Sequence, residues 1–134
     1  MKFDNSAVYT TVIPQNQHDI NKLYGFSDND AHHHDYSARF GWNYMNNKLL
    51  LYAYVYNSSQ RQTKEIATIV PGKTYNCSIT VESDKYIFTI DGVHHSMQRS
   101  STVPVASGYM LYPFFGGDET APHDIRIWIR DLSK

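Results

Sequence analysis

Two adjacent runs of strict alternation constrain this chain more than any other feature. Residues 37–43, SARFGWN, alternate Ala38, Phe40 and Trp42 with Arg39, Gly41 and Asn43. Residues 48–56, KLLLYAYVY, carry Leu49, Leu51, Ala53 and Val55 in one row and Leu50, Tyr52, Tyr54 and Tyr56 in the other. Successive side chains on a strand point to opposite faces, so each run presents two distinct surfaces. Asn46-Asn47 between them suits a two-residue turn, because Asn tolerates the left-handed backbone such a turn demands. The two runs predict an antiparallel hairpin, and no window of useful length keeps a 3.6-residue period.

The same logic extends along the chain. Residues 65–70 read as a short strand ended by Pro71-Gly72. Residues 74–81 turn Tyr75, Cys77, Ile79 and Val81 to one side. Ser83-Asp84 and Asp91-Gly92 then punctuate two further strands, residues 85–90 and 93–98, giving a meander. Residues 108–115, GYMLYPFF, are apolar on both faces and predict a central strand, with Pro113 pointing to a bulge or an edge. Residues 125–131 set Ile125, Ile127 and Ile129 inward and Arg126, Trp128 and Arg130 outward. One helical turn is expected at residues 17–23, with Asn16 as its cap. The sum is an all-β chain of seven to ten strands, an antiparallel β-sandwich of jelly-roll type.

A length of 134 residues fits one domain, residues 1–134, with residues 1–20 as an N-terminal arm or edge strand. Twelve Lys plus Arg against thirteen Asp plus Glu leave a net charge of −1, which offers no bulk attraction to nucleic acid. No apolar run is long enough for membrane insertion as a helix. The first residues lack the apolar core of a signal peptide. One cysteine, Cys77, allows no disulfide within the chain and reads as a small buried apolar residue.

Eleven Tyr, six Phe and two Trp exceed what one core needs and point to a gripping surface. The outward row Tyr52, Tyr54 and Tyr56 is the best candidate. Sugar rings stack their C–H faces on aromatic rings while polar neighbours fix the hydroxyls. Arg39 and the row of Arg126 and Trp128 join that face if their strands share its sheet. The competing readings bury the same rings in a protein–protein interface, such as a homo-oligomer, or in a second core of the sandwich.

Two clusters invite metal chemistry. An EF-hand loop begun at Asp28 would need Gly at its sixth place and Glu at its twelfth, where this chain has His33 and Arg39. Zinc would need several converging ligands from His32-His33-His34, His94-His95, His123 and Asp124, and neighbouring histidines on an extended strand diverge. The favoured reading has one histidine packing or hydrogen-bonding at the strand entry with its neighbours solvated, and His33 and His123 count among the candidate ligand-binding residues. In the loop GGDETAPHD, Asp118, Glu119 and Asp124 are the oxygen donors that would suit Ca²⁺, against a rigid turn in which the acids accept backbone N–H groups. Asp118 and Glu119 also count among the candidate ligand-binding residues.

No nucleophile elbow, phosphate loop or zincin motif occurs. Glu82 and Asp84 begin an E-x-D-x-x-E string, but Ile87 stands where its last carboxylate belongs. A lyase-like grouping of Tyr54, His33 and Arg39 is available only if the fold gathers them.

Residues 22–42, KLYGFSDNDAHHHDYSARFGW, and 112–129, YPFFGGDETAPHDIRIWI, carry a resemblance. The pattern HH-x-x-SARFGW falls on His33, His34 and residues 37–42, and FGGDE-x-APHD on residues 115–124. With the strands between them, about residues 21 to 132, they resemble a group of concanavalin A-like jelly-roll domains in bacterial surface proteins and phage virion proteins. The resemblance implies a sandwich, a lectin-like role and a virion, extracellular or cell-surface location, and it supplies no catalytic residues. The expected function is non-catalytic recognition of a glycan or surface polysaccharide. The alternatives are a virion structural or decoration protein and a polysaccharide lyase or glycoside hydrolase.

Overall fold

The computed structural model describes residues 1–132. Its strands are β1 (Lys2–Phe3), β2 (Asn21–Ser27), β3 (Ser37–Met45), β4 (Lys48–Asn57) and β5 (Gln60–Ile69), followed by β6 (Cys77–Val81), β7 (Lys85–Ile90), β8 (Val93–Gln98), β9 (Met110–Leu111) and β10 (Ile127–Trp128). They form antiparallel sheets in the orders β5-β4-β3-β2-β9 and β6-β7-β8, with β1 and β10 as a separate pair.

The alternating rows explain the packing. Leu49, Leu51, Ala53 and Val55 of β4 and Ala38, Phe40 and Trp42 of β3 enter the core. Tyr86, Phe88 and Ile90 of β7 enter it from the three-stranded sheet. Phe40 meets Phe88 edge-on at 5.2 Å across the two sheets. Phe3 and Tyr9 of the N-terminal arm close one end of this core on Trp42. The resulting fold is all-β and sandwich-like.

The expected hairpin is β3–β4, with Asn46 and Asn47 at φ of 54° and 63°. A second hairpin, β4–β5, turns at Ser58-Ser59 with φ of 48° and 66°. The meander β6-β7-β8 follows the predicted turns.

Four expectations are corrected. Residues 17–23 hold no separate helical turn: a 3₁₀ segment runs Pro14–His18, where proline pre-sets the first helical φ, and Asn21 already begins β2. Strand β5 begins at Gln60 and not at residue 65, because it lies at the sheet edge and needs no buried row there. Residues 108–115 contribute only β9, an edge strand, and leave Tyr112 and Phe114 exposed. Strand character in residues 125–131 is confined to β10.

Candidate functional site

The outer face of the five-stranded sheet carries the site. Across the β3–β4 ladder Ser37 faces Tyr56, Arg39 faces Tyr54 and Gly41 faces Tyr52. These side chains point away from the core, since their neighbours in each strand point into it.

Arg39 is the central group. It is only 7% exposed. Its Nε and Nη2 donate to the carbonyl of Leu23 at 3.2 and 2.9 Å, and Nη2 donates to the carbonyl of Tyr112 at 2.6 Å. None of the described carboxylates pairs with it. Burial pushes its pKa down to about 10, so it remains a cation at neutral pH. Gly25 lies opposite Arg39 on β2, where an added Cβ would sit 2.2 Å from the Arg39 Cβ. The missing side chain at Gly25 lets β2 come this close to Ala38 and Arg39 of β3.

Lys22 adds a second half-buried cation. Its Nζ donates to the Gly116 carbonyl at 3.0 Å and lies 5.5 Å from the Tyr54 ring centre. Arg61 approaches the same ring at 5.9 Å. Burial holds Lys22 below the usual lysine pKa, and Tyr54 and Asp19 partly oppose that shift. Gly116, at φ 65°, is fixed by its N–H donating to Asn21 Oδ1 at 2.6 Å. That contact aims the Gly116 carbonyl at Lys22.

A cleft of about 460 Å³ opens over these groups. Lys22, Arg39, Tyr54 and Tyr56 form its floor, and His33, His34, Tyr112 and Phe114 line it further. Tyr54 is 5% exposed, so its ring is largely covered, whereas Tyr112 and Phe114 are 65% and 61% exposed. Tyr52 is not part of the lining. Its hydroxyl donates to Asn43 Oδ1 at 3.0 Å on the same face, and burial raises its pKa.

The histidine run departs from the sequence expectation. It is a turn and not an extended strand: the N–H groups of Asp35 and Tyr36 both donate to the His32 carbonyl, at 2.8 and 3.1 Å. The three rings therefore gather on one side, with His32 and His33 stacked at 4.3 Å. His33 is held below the usual histidine pKa by burial, helped by His34, His32 and Arg39.

The other predicted site residues lie elsewhere. Strand β10 pairs with β1, outside the five-stranded sheet, so Arg126 and Trp128 do not share the tyrosine face. Arg126 pairs with Asp4 at 3.3 Å, and Lys2 covers the Trp128 ring at 4.8 Å. His123 and Asp124 line a second hollow of about 440 Å³, which shares Lys22 and Phe114 with the first. His123 Nε2 meets the Ser6 carbonyl at 2.7 Å. Glu119 accepts the N–H groups of Val12 and Ile13 at 3.0 and 3.2 Å and the Asn16 amide at 2.8 Å, so it clamps the N-terminal arm. Asp118 is exposed. Among the described residues Asp118, Glu119 and Asp124 do not converge on one point.

Lys22, His34, Tyr112 and Phe114 belong to the cleft and were not among the predicted site residues. The signal for Lys22 was hidden by the expected helical turn, and the aromatic pair read as core. No protein-family model, curated protein or solved structure matches the chain.

Proposed function

We propose that this chain is a non-catalytic binding module of concanavalin A-like jelly-roll type, and that its cleft takes an acidic unit of a glycan or surface polysaccharide. The observation that carries this reading is the buried Arg39, bonded only to carbonyl oxygens beside exposed aromatic rings. A guanidinium withdrawn from water gains most from an anion that reaches it, and its flat fork suits a carboxylate or sulfate. Its Nη1 makes no hydrogen bond to any described residue. Lys22 adds a second positive charge to the same floor. Tyr56, Tyr112 and Phe114 offer ring faces and edges for the C–H side of a sugar.

Calorimetric and tyrosine-fluorescence titration with acidic and matched neutral oligosaccharides tests this. Acidic ligands bind saturably, more weakly at high salt. Lys22→Gln and Tyr56→Ala each reduce the affinity. A broad acidic panel without saturable binding overturns the reading.

One observation favours a second reading, a polysaccharide lyase: His33, Arg39 and Tyr54 line the same cleft. In that chemistry Arg39 neutralises a uronate carboxylate, Tyr54 or His33 takes the ring proton beside it, the glycosidic C–O bond at the next carbon breaks to leave a C=C bond, and the departing oxygen is protonated. Unsaturated products from a uronate polymer, lost in Tyr54→Phe, would replace the binding reading.

A further inference from the structure

We propose that His32, His33 and His34 together bind one zinc-class divalent cation at the rim of the cleft. The site is independent of any saccharide. Three consecutive residues can ligate one ion only where the chain curls, and the turn closed by Asp35 and Tyr36 N–H groups on the His32 carbonyl provides that curl. The ligand atoms of the three side chains all lie within 4.8 Å of one another. A tetrahedral ion with metal–nitrogen bonds of about 2.0–2.1 Å needs its nitrogens about 3.4 Å apart. Small ring rotations therefore complete the set. The ring centres are already 4.3, 5.0 and 4.3 Å apart.

The turn is braced before any ion arrives. Asp35 accepts the Ser59 hydroxyl at 2.6 Å on its carboxylate and the Ser59 N–H at 3.1 Å on its carbonyl. The Tyr36 carbonyl accepts the N–H of Asp28 at 2.9 Å.

His33 carries the outer support a metal ligand needs. Its Nδ1 lies 2.9 Å from the Tyr109 hydroxyl, which also accepts the His33 backbone N–H. With Nδ1–H directed at that oxygen, Nε2 presents a lone pair to the ion. His32 accepts the His34 N–H on Nδ1 at 3.1 Å, and that bond is given up when His32 turns to the metal.

Ligand chemistry sets the ion class. Three imidazoles without a thiolate or carboxylate suit Zn²⁺, Ni²⁺ or Cu²⁺ and do not suit Ca²⁺ or Mg²⁺. Three protein ligands leave a fourth position for water or a ligand oxygen. Since His33 and His34 also line the cleft, that position lies at its rim.

The test is titration of the metal-free 134-residue chain with Zn²⁺ alone by calorimetry and thermal melting. The expected result is one ion per chain at about micromolar affinity, with a raised Tm. Replacing His33 and His34 together by Ala abolishes both signals, and Tyr109→Phe weakens binding about tenfold while circular dichroism stays unchanged. Co²⁺ in place of Zn²⁺ gives the visible absorption of a four-coordinate site. Binding no tighter than about millimolar, binding indifferent to the His33/His34 replacement, or an equal Tm rise with Ca²⁺ overturns the proposal.

Discussion

The carboxylate of Asp28 and the guanidinium of Arg99 meet at 2.8 Å with both side chains fully buried. Asp28 follows β2 in the five-stranded sheet and Arg99 follows β8 in the three-stranded one, so the pair ties the two sheets together. Every strong group in the network is satisfied. The Tyr86 hydroxyl donates to Asp28, and Arg99 also donates to the carbonyls of Glu82 and Val103. Arg99→Leu leaves a lone buried carboxylate and lowers stability by about 3–5 kcal/mol. Urea unfolding measures this. The double change Asp28→Leu/Arg99→Leu recovers part of the loss, because no unpaired charge then remains.

The same residue shapes the response to acid. Burial alone would raise the pKa of Asp28, but hydrogen bonds from Arg99, Tyr86 and the Asn29 N–H, with the charge of Arg99, outweigh it and hold the group below 3.8. A depressed folded-state pKa contributes stability that is complete above the unfolded value and is lost as pH falls through the folded one. The protein therefore loses this contribution below about pH 3.8 and not near neutrality. Unfolding free energies measured down the acid range should show that slope, and Asp28→Asn should remove it at the expense of stability at neutral pH.

How far these features were legible in the sequence depended on whether the two faces of a strand differ. Strands β3, β4, β7 and β8 alternate cleanly or are bounded by Asn-Asn, Ser-Asp and Asp-Gly turns, and all four were readable. Strand β2 was not, because its buried row is Asn21, Leu23, Gly25 and Ser27 while Phe26 of the other row also packs on the core, so neither row reads as apolar. The polar start of β5 hid an edge strand. Residues 108–115 mislead in the opposite sense: apolar composition alone does not tell a core strand from the exposed rim of a cleft. Arg39, Tyr54, Tyr56 and His33 were readable as candidates and share one cleft. Arg126 and Trp128 join that face only if their strand shares its sheet, and the sequence cannot decide this, because the pairing of β10 with β1 spans almost the whole chain and leaves no local signal.

Cys77 is half-buried, and burial pushes its thiol up to about 11. At about pH 8 roughly one such thiol in a thousand is ionised, and the thiolate is the reactive form. A thiol reagent should label folded protein far more slowly than urea-unfolded protein, with a single labelled site per chain. Rapid labelling of the folded form would contradict this environment.

Glu119 holds the arm that closes the core. Its two carboxylate oxygens receive the Val12, Ile13 and Asn16 donors, and these bonds keep its pKa below the usual value. Val12 and Ile13 are exposed apolar residues at that bend. Glu119→Ala frees their N–H groups and should speed limited proteolysis near residues 12–13. Asp118→Ala, at the exposed neighbouring position, serves as the control and should leave the cleavage rate unchanged.

Arg39 also staples the sheet edge it lies under. One guanidinium bonds the Leu23 carbonyl of β2 and the Tyr112 carbonyl just beyond β9, although β9 itself pairs with β2 through only two residue pairs. Lysine keeps the charge but has no planar fork to reach both carbonyls at once. Arg39→Lys should therefore speed exchange of the β9 amide that faces β2 by about tenfold or more, the loss expected for one or two hydrogen bonds to a charged group. Exchange in β7, on the other sheet, should stay as it was. Unchanged β9 protection would show that the edge is held by the Lys22–Phe114 backbone bridge, whose two bonds measure 2.8 and 3.0 Å, and not by Arg39.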